Sequence, residues 1–313
     1  MMPQSGKTAI IFPGQGSQYV GMGRDFLAQD NEARAMLAQA EQISGLPLGR
    51  LCLEGPEEEL TRTLNLQPAM TAINLICLKA VQKAGIKADF YAGHSLGEYA
   101  ALAAAGVLSF ADAIRLVTER GRLMEREAAA HPGAMAAVVK LEIEAVRAIV
   151  AQAVGQGRLT IANHNSAAQI VISGETAAVA AAAGLVKEAG GKAIPLKVSG
   201  PWHSELIAGA VPDFSVIMAA TLFSAPAVPL LFNVTAAPES DPAAIRAIMA
   251  RQIASTVRWY EIVENLLAAG VGTFIEVGPK NVLTGLLKKI VPPDWPGRIL
   301  QVEDPAGVAS LTP

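Results

Sequence analysis

Gly93-His94-Ser95-Leu96-Gly97 sets a serine between two glycines directly after a short apolar approach, Phe90-Tyr91-Ala92. In a strand-to-helix turn this tight a Cβ at either flank would clash, and the turn lifts the central hydroxyl out of the sheet edge. The Ala- and Leu-rich stretch from Glu98 to Leu108 suits the helix that should follow. Ser95 would then stand at a helix N-terminus, where unpaired backbone N–H groups face any negative charge that develops on a carbonyl oxygen. The chemistry this predicts is acyl transfer with Ser95 as nucleophile. The competing reading is a loop serine that only caps a helix.

A serine nucleophile needs a base, and the chain offers four histidines, His94, His131, His164 and His203. His94 is bound to the strand side of the turn and His131 lies beside a proline in a connection. His203, in Gly200-Pro201-Trp202-His203-Ser204, is therefore the candidate base. No carboxylate between Ser95 and His203 stands in a recognisable acid loop, which leaves a backbone carbonyl as the third member. Phe12-Pro13-Gly14-Gln15-Gly16-Ser17-Gln18 is a Gly-rich loop at the carboxyl end of a strand, where open α/β sheets place ligands. It can present a second oxyanion donor, or be a structural turn capped by Ser17. Two nucleotide patterns fail: Ser5-Gly6-Lys7-Thr8 precedes its strand and lacks the first Walker glycine, and the loop at Gly14 has Tyr19 where the third dinucleotide glycine belongs.

The elements needed to position these groups can be read from periodicity. Thr8–Phe12 predicts a buried strand, 22–42 a helix, 51–64 a Gly-Pro break followed by a Glu-rich turn and helix, and 67–84 a helix with Pro68 near its start. Phe90 begins the strand before Ser95, and Phe110–Ala130 is a further helix. From 134 to 198 the order becomes β-α-β-β-α-β, the split pattern of a ferredoxin-like unit. After Ser204 come a helix, a strand at 228–234, helices at 245–253 and 260–269, a strand at 273–277 and a helix at 282–290, with a Pro-rich surface tail from Pro292. This predicts an α/β fold: a hydrolase-like core with a largely parallel sheet, formed by 1–131 and 200–313, plus an inserted ferredoxin-like α+β subdomain at 132–199.

Composition bounds the rest. A chain of 313 residues, 51% hydrophobic and 17% charged, can bury a large core. A net charge of −3, with no basic run interleaved with aromatics, argues against nucleic acid. Two separated cysteines, Cys52 and Cys77, imply neither a disulfide framework nor a metal site. The apolar run Ala9–Phe12 is too short for a signal peptide and no stretch approaches a membrane span, so a cytoplasmic monomer is expected.

Seven blocks carry a resemblance: FPGQGSQ at 12–18, GHSLGEY at 93–99, RGRLM at 120–124, NSAAQIVISG at 165–174, GPWHS at 200–204, RQIASTVRW at 251–259 and EVGP at 276–279. In this order, over about 9–290, the chain resembles the malonyl-CoA:acyl carrier protein transacylase family. The resemblance implies that Ser95 attacks the thioester of malonyl-CoA with His203 as general base. The resulting malonyl ester would pass to the phosphopantetheine thiol of acyl carrier protein, with no bound cofactor or metal. It implies further that the backbone N–H groups of Gln15 and Leu96 form the oxyanion hole and that a main-chain carbonyl near Gln252 orients His203. Arg120 would grip the malonyl carboxylate, with Gln252 assisting it and Met124, one turn along the helix, facing the same pocket. Trp202 stands where the family commonly has Phe, and the bulkier ring should crowd the acyl α-carbon. The pathway implied is fatty acid synthesis. A trans-acting polyketide acyltransferase or the malonyl-loading subunit of a malonate decarboxylase would share these blocks, and a serine hydrolase would share the elbow alone.

Overall fold

The computed structural model describes residues 6–311. Ser5, part of the rejected Walker pattern, lies outside them, and Lys7 and Thr8 belong to the first strand. In chain order the strands are β1 (Lys7–Phe12), β2 (Phe90–Gly93), β3 (Ala134–Val139), β4 (Leu159–Ser166), β5 (Gln169–Gly174), β6 (Lys192–Pro195), β7 (Leu230–Leu231), β8 (Val271–Val277) and β9 (Arg298–Val302).

Two sheets divide them. The first has the order β7-β2-β1-β8-β9 and is parallel throughout. Its central strand β1 is apolar at four successive positions, Ala9 to Phe12, because both faces are covered. Ile10 and Phe12 join the core that includes the helix Thr63–Lys83, whereas Ala9 and Ile11 pack with Trp259, Ile262 and Leu287 from helices on the opposite face. Each Ile or Phe among these, taken fully out of water, contributes about 1.5–3 kcal/mol. Parallel register pairs Phe12 with Gly93, so β1 and β2 end together and deliver their following loops to one edge.

The second sheet, order β4-β5-β3-β6, is antiparallel and follows the predicted β-α-β-β-α-β sequence, with helices Ile143–Ala153 and Thr176–Glu188. Alternation gives it two different faces. Ala136, Val138, Ile170 and Ile172 form a core with those helices, while Met135, Ala137 and Val171 face a cavity shared with the first sheet's loops.

Four expected elements differ. The helix expected over 22–42 is two, Arg24–Gln29 and Asn31–Ser44, because extended Asp30 breaks the first and caps the second by accepting from Glu32 N at 2.8 Å. The helix expected from 67 begins at Thr63 and carries Pro68 within it. The strand expected over 228–234 shortens to β7, since Asn233 N donates to the Glu98 carboxylate instead of to a ladder. The Pro-rich end is not a surface tail: Arg298–Val302 extends the parallel sheet as β9, and Pro305–Ala309 follows as a short helix. No helix among the described residues is long and apolar enough to cross a membrane.

Candidate active site

β2 ends at Gly93, and Ser95 adopts φ +50°, a left-handed conformation that costs a residue with a Cβ about 1–3 kcal/mol. The flanking glycines make the turn sterically possible. A Cβ on Gly93 would fall 2.1 Å from Gly97 C and O, and one on Gly97 would fall 2.1 Å from Phe12 O. Three hydrogen bonds fix the strained residue. Ser95 N donates to Asn233 Oδ1 at 2.6 Å, Asn233 Nδ2 to Gly93 O at 2.7 Å, and Gln252 Nε2 to Ser95 O at 2.8 Å.

His203 comes from the connection before the short 3-10 turn Glu205–Ile207 and also has positive φ, +56°. Its Nε2 lies 2.7 Å from Ser95 Oγ, and its Nδ1 lies 2.9 Å from Ser255 O and 3.2 Å from Gln252 O. Two carbonyls can only accept, so Nδ1 carries the proton and Nε2 offers a lone pair to the Ser95 hydroxyl. Burial, then the Arg120 charge and His94, push the His203 pKa down to about 3 and hold the ring neutral. Side-chain ¹⁵N NMR should accordingly show an Nδ1-protonated, uncharged ring from pH 8 down to pH 5. Titration near 6.5 would contradict this arrangement.

The other histidines are engaged elsewhere. His94 Nε2 is 2.8 Å from Asn165 Oδ1, with its ring edge-on to Trp259. His164 Nδ1 is 3.2 Å from Glu261 Oε1, and His131 is a half-exposed neighbour of Glu127.

The Gly-rich loop packs on the serine turn. A Cβ on Gly14 would fall 2.4 Å from His94 O and 3.5 Å from Leu96 N, so only glycine permits this approach. Asn74 Nδ2 holds Pro13 O at 3.0 Å. The amides of Gln15 and Leu96 make no hydrogen bond among the described residues, and both residues line the cavity. Ser95 N is already taken by Asn233, so those two amides are the donors left for a carbonyl oxygen.

Arg120, on the helix Phe110–Ala130, is 1% exposed and forms no salt bridge among the described residues. Nη1 donates to Gln67 Oε1 at 2.9 Å; Nη2 donates to Gln252 Oε1 at 3.0 Å and to Ser95 Oγ at 3.3 Å; Nε donates to Gln252 Oε1 at 3.3 Å. The guanidinium also lies over the Tyr99 ring, 5.6 Å from its centroid. A buried cation held only by neutral groups is a ready partner for a ligand carboxylate. Met124 Sδ accepts from Gln67 Nε2 at 3.2 Å, and Met124 and Trp202 both wall the cavity of about 270 Å³.

Sequence reasoning missed several supports. Asn233 braces the elbow, Ser255 supplies the shorter carbonyl to His203, and Gln67 holds Arg120. Glu98 is fully buried, and both its oxygens accept, from Asn233 N at 2.9 Å and Gln252 Nε2 at 2.9 Å. Burial pushes its pKa up to about 7, against those two donors and Arg120. One signal was available: Gln67, Thr71 and Asn74 place a polar stripe at i, i+4 and i+7 on a helix buried nearly all round. Among the described residues no group of three or more His, Cys, Asp and Glu is arranged to hold a metal ion.

Comparison with known proteins adds relatives to this geometry. A family model described as an acyl transferase domain matches residues 9–294. The malonyl CoA-acyl carrier protein transacylase of Bacillus subtilis (strain 168) is 43% identical over 91% of this chain and 90% of its own. An acyl carrier protein S-malonyltransferase from Vibrio cholerae superposes with TM-score 0.93 at 41% identity, covering 98% of this chain and 100% of that one. A malonyl-transacylase solved in complex with a type II PKS acyl-carrier protein gives TM-score 0.93 at 38% identity, over 97% and 98% of the two chains.

Proposed function

The chain belongs to the acyl transferase domain family, and from that premise we propose that it moves a malonyl group from malonyl-CoA to the phosphopantetheine thiol of an acyl carrier protein, in fatty acid synthesis. The observation that carries the malonyl assignment is Arg120, a buried guanidinium 3.3 Å from the nucleophile with no carboxylate paired to it among the described residues. A hydrolase of simple esters has no need of such a group.

The steps follow from the hydrogen bonds. Ser95 Oγ attacks the thioester carbonyl carbon while its proton passes to His203 Nε2. The carbonyl oxygen becomes an oxyanion at the amides of Gln15 and Leu96. Collapse breaks the C–S bond, and the departing CoA thiolate takes the proton from His203, leaving a malonyl ester on Ser95. The carrier thiol then gives its proton to His203, attacks the ester carbonyl, and expels Ser95 Oγ, which recovers the proton. Throughout, Arg120 holds the malonyl carboxylate and Gln252 holds Arg120. Trp202 and Met124 bound the acyl pocket. Two buried, unpaired thiols, Cys52 and Cys77, support work in a reducing cytoplasm.

Intact-protein mass spectrometry tests the reading. Mixing with malonyl-CoA should add one malonyl group to Ser95, and holo acyl carrier protein should then remove it and carry the same mass. An adduct lost only to water would make the protein a hydrolase instead.

A further inference from the structure

We propose that Glu98 is a positioning residue for malonyl recognition: its carboxylate fixes the Gln252 side-chain amide in the orientation that presents Oε1 to Arg120, and so holds the guanidinium ready for a substrate carboxylate. The inference rests on the malonyl-transfer reading above.

An acid in the first turn of a helix is ordinarily a surface residue favoured by the helix dipole. Glu98, in the first turn of Gly97–Ala104, is instead 0% exposed, and each of its oxygens has one assigned donor. The donor on Oε2 is Gln252 Nε2. A glutamine amide has a donating end and an accepting end of the same shape, so its direction is set only by its partners. Here the Nε2 end meets two acceptors, Glu98 Oε2 at 2.9 Å and Ser95 O at 2.8 Å, while the Oε1 end meets the Nε and Nη2 donors of Arg120. Reversing the amide would set NH₂ against guanidinium and carbonyl against carboxylate and carbonyl, turning all four contacts repulsive. Glu98 Oε2 accepts from Nε2 beside Ser95 O, and of those two acceptors it is the one that a side-chain substitution can invert.

The same side chain reaches the nucleophile by its other oxygen. Glu98 Oε1 holds Asn233 N, and the Asn233 side chain holds Ser95 N and Gly93 O. One buried carboxylate thus joins the arginine clamp to the serine elbow, and the two arms can be cut separately.

Glu98→Gln keeps the size and offers one acceptor and one donor. With Asn233 N–H on the acceptor, the new NH₂ faces Gln252, whose amide turns and releases Arg120. The malonyl-to-acetyl ratio of kcat/KM, measured with each acyl-CoA and holo carrier protein, should fall about tenfold or more, chiefly through a raised KM for malonyl-CoA. Asn233→Ala, which loosens only the elbow, should slow both transfers and leave the ratio unchanged. In a Gln252→Ala background, Glu98→Gln should lower the ratio no further. An unchanged ratio in Glu98→Gln, an equal loss of ratio in Asn233→Ala, or losses that simply add in the double variant would each overturn the proposal. If Glu98→Gln does not fold, Glu98→Asp decides, because it withdraws the carboxylate from Gln252 Nε2 by one methylene: a retained ratio overturns the proposal and a lowered one supports it. Wild-type protein that forms no malonyl ester would instead sink the malonyl-transfer reading itself, whereas wild-type labelling with an unaltered variant ratio removes only the role of Glu98.

Discussion

His203→Ala should slow acylation of Ser95 by about a thousandfold, the size of a positioned general base, while substrate binding is largely kept. Its neighbour His94 is partly buried and committed to Asn165. Burial also lowers the pKa of His94, so it is a weak base as well as a misplaced one. Rapid-quench mass spectrometry of the acyl-enzyme measures the rate directly. A loss under tenfold would mean that Ser95 is deprotonated by another group or by water. The variant keeps a Cβ at a positive-φ position and takes the donor away from two carbonyls, Ser255 O and Gln252 O, so its melting temperature should fall modestly and is measured beside the rate.

Arg120→Ala should separate substrates instead of stopping the chemistry. A bidentate guanidinium–carboxylate contact is two charge-assisted hydrogen bonds, each contributing about 1.5–3 kcal/mol, so kcat/KM for malonyl-CoA should fall by roughly 10² to 10⁴. Acetyl-CoA has no carboxylate to lose, and its transfer should fall far less. Equal losses for the two would show that Arg120 does not hold the carboxylate. Arg120→Lys should not restore malonyl transfer, because an ammonium cannot span Gln67 Oε1 and Gln252 Oε1 while presenting a planar fork to the ligand. Melting temperatures must be read beside the kinetics. The alanine variant strands two amide oxygens, at about 1–3 kcal/mol each, but relieves a buried cation.

What could be read in the chain was what sterics and periodicity write locally. Gly93 and Gly97 announce the elbow because a Cβ at either would run into neighbouring backbone, and alternation in β3 and β5 announces a sheet with two different faces. The C-terminal strand β9 was hidden by Pro292, Pro293 and Pro296, which suggest a tail although Arg298–Val302 has a partner in β8. The break at Asp30 was hidden for a different reason: its neighbours on both sides are helical, and only the cap bond to Glu32 N marks the boundary. The supports of the site were illegible from spacing. Glu98, Asn233 and Gln252 meet across separations of 135 and 154 residues, and a buried polar residue looks in sequence like an exposed one until its partner is known. Arg120 likewise had to be assigned through the resemblance, since ERGRLMER alone reads as a charged helix face.

The carbonyl oxygens behind His203 have a consequence for the bonds this protein can break. With no negative charge behind it, the imidazole gains little when it is protonated and returns its proton early. Its weakness falls on the attack step, where the resonance-stabilised carbonyl of an amide demands a more strongly activated nucleophile than a thioester does. A thiol, with an ordinary pKa near 8.5, departs as its anion with little help. The weakness of the base therefore acts as a filter on the bond attacked, favouring exchange between sulfur esters over peptide cleavage.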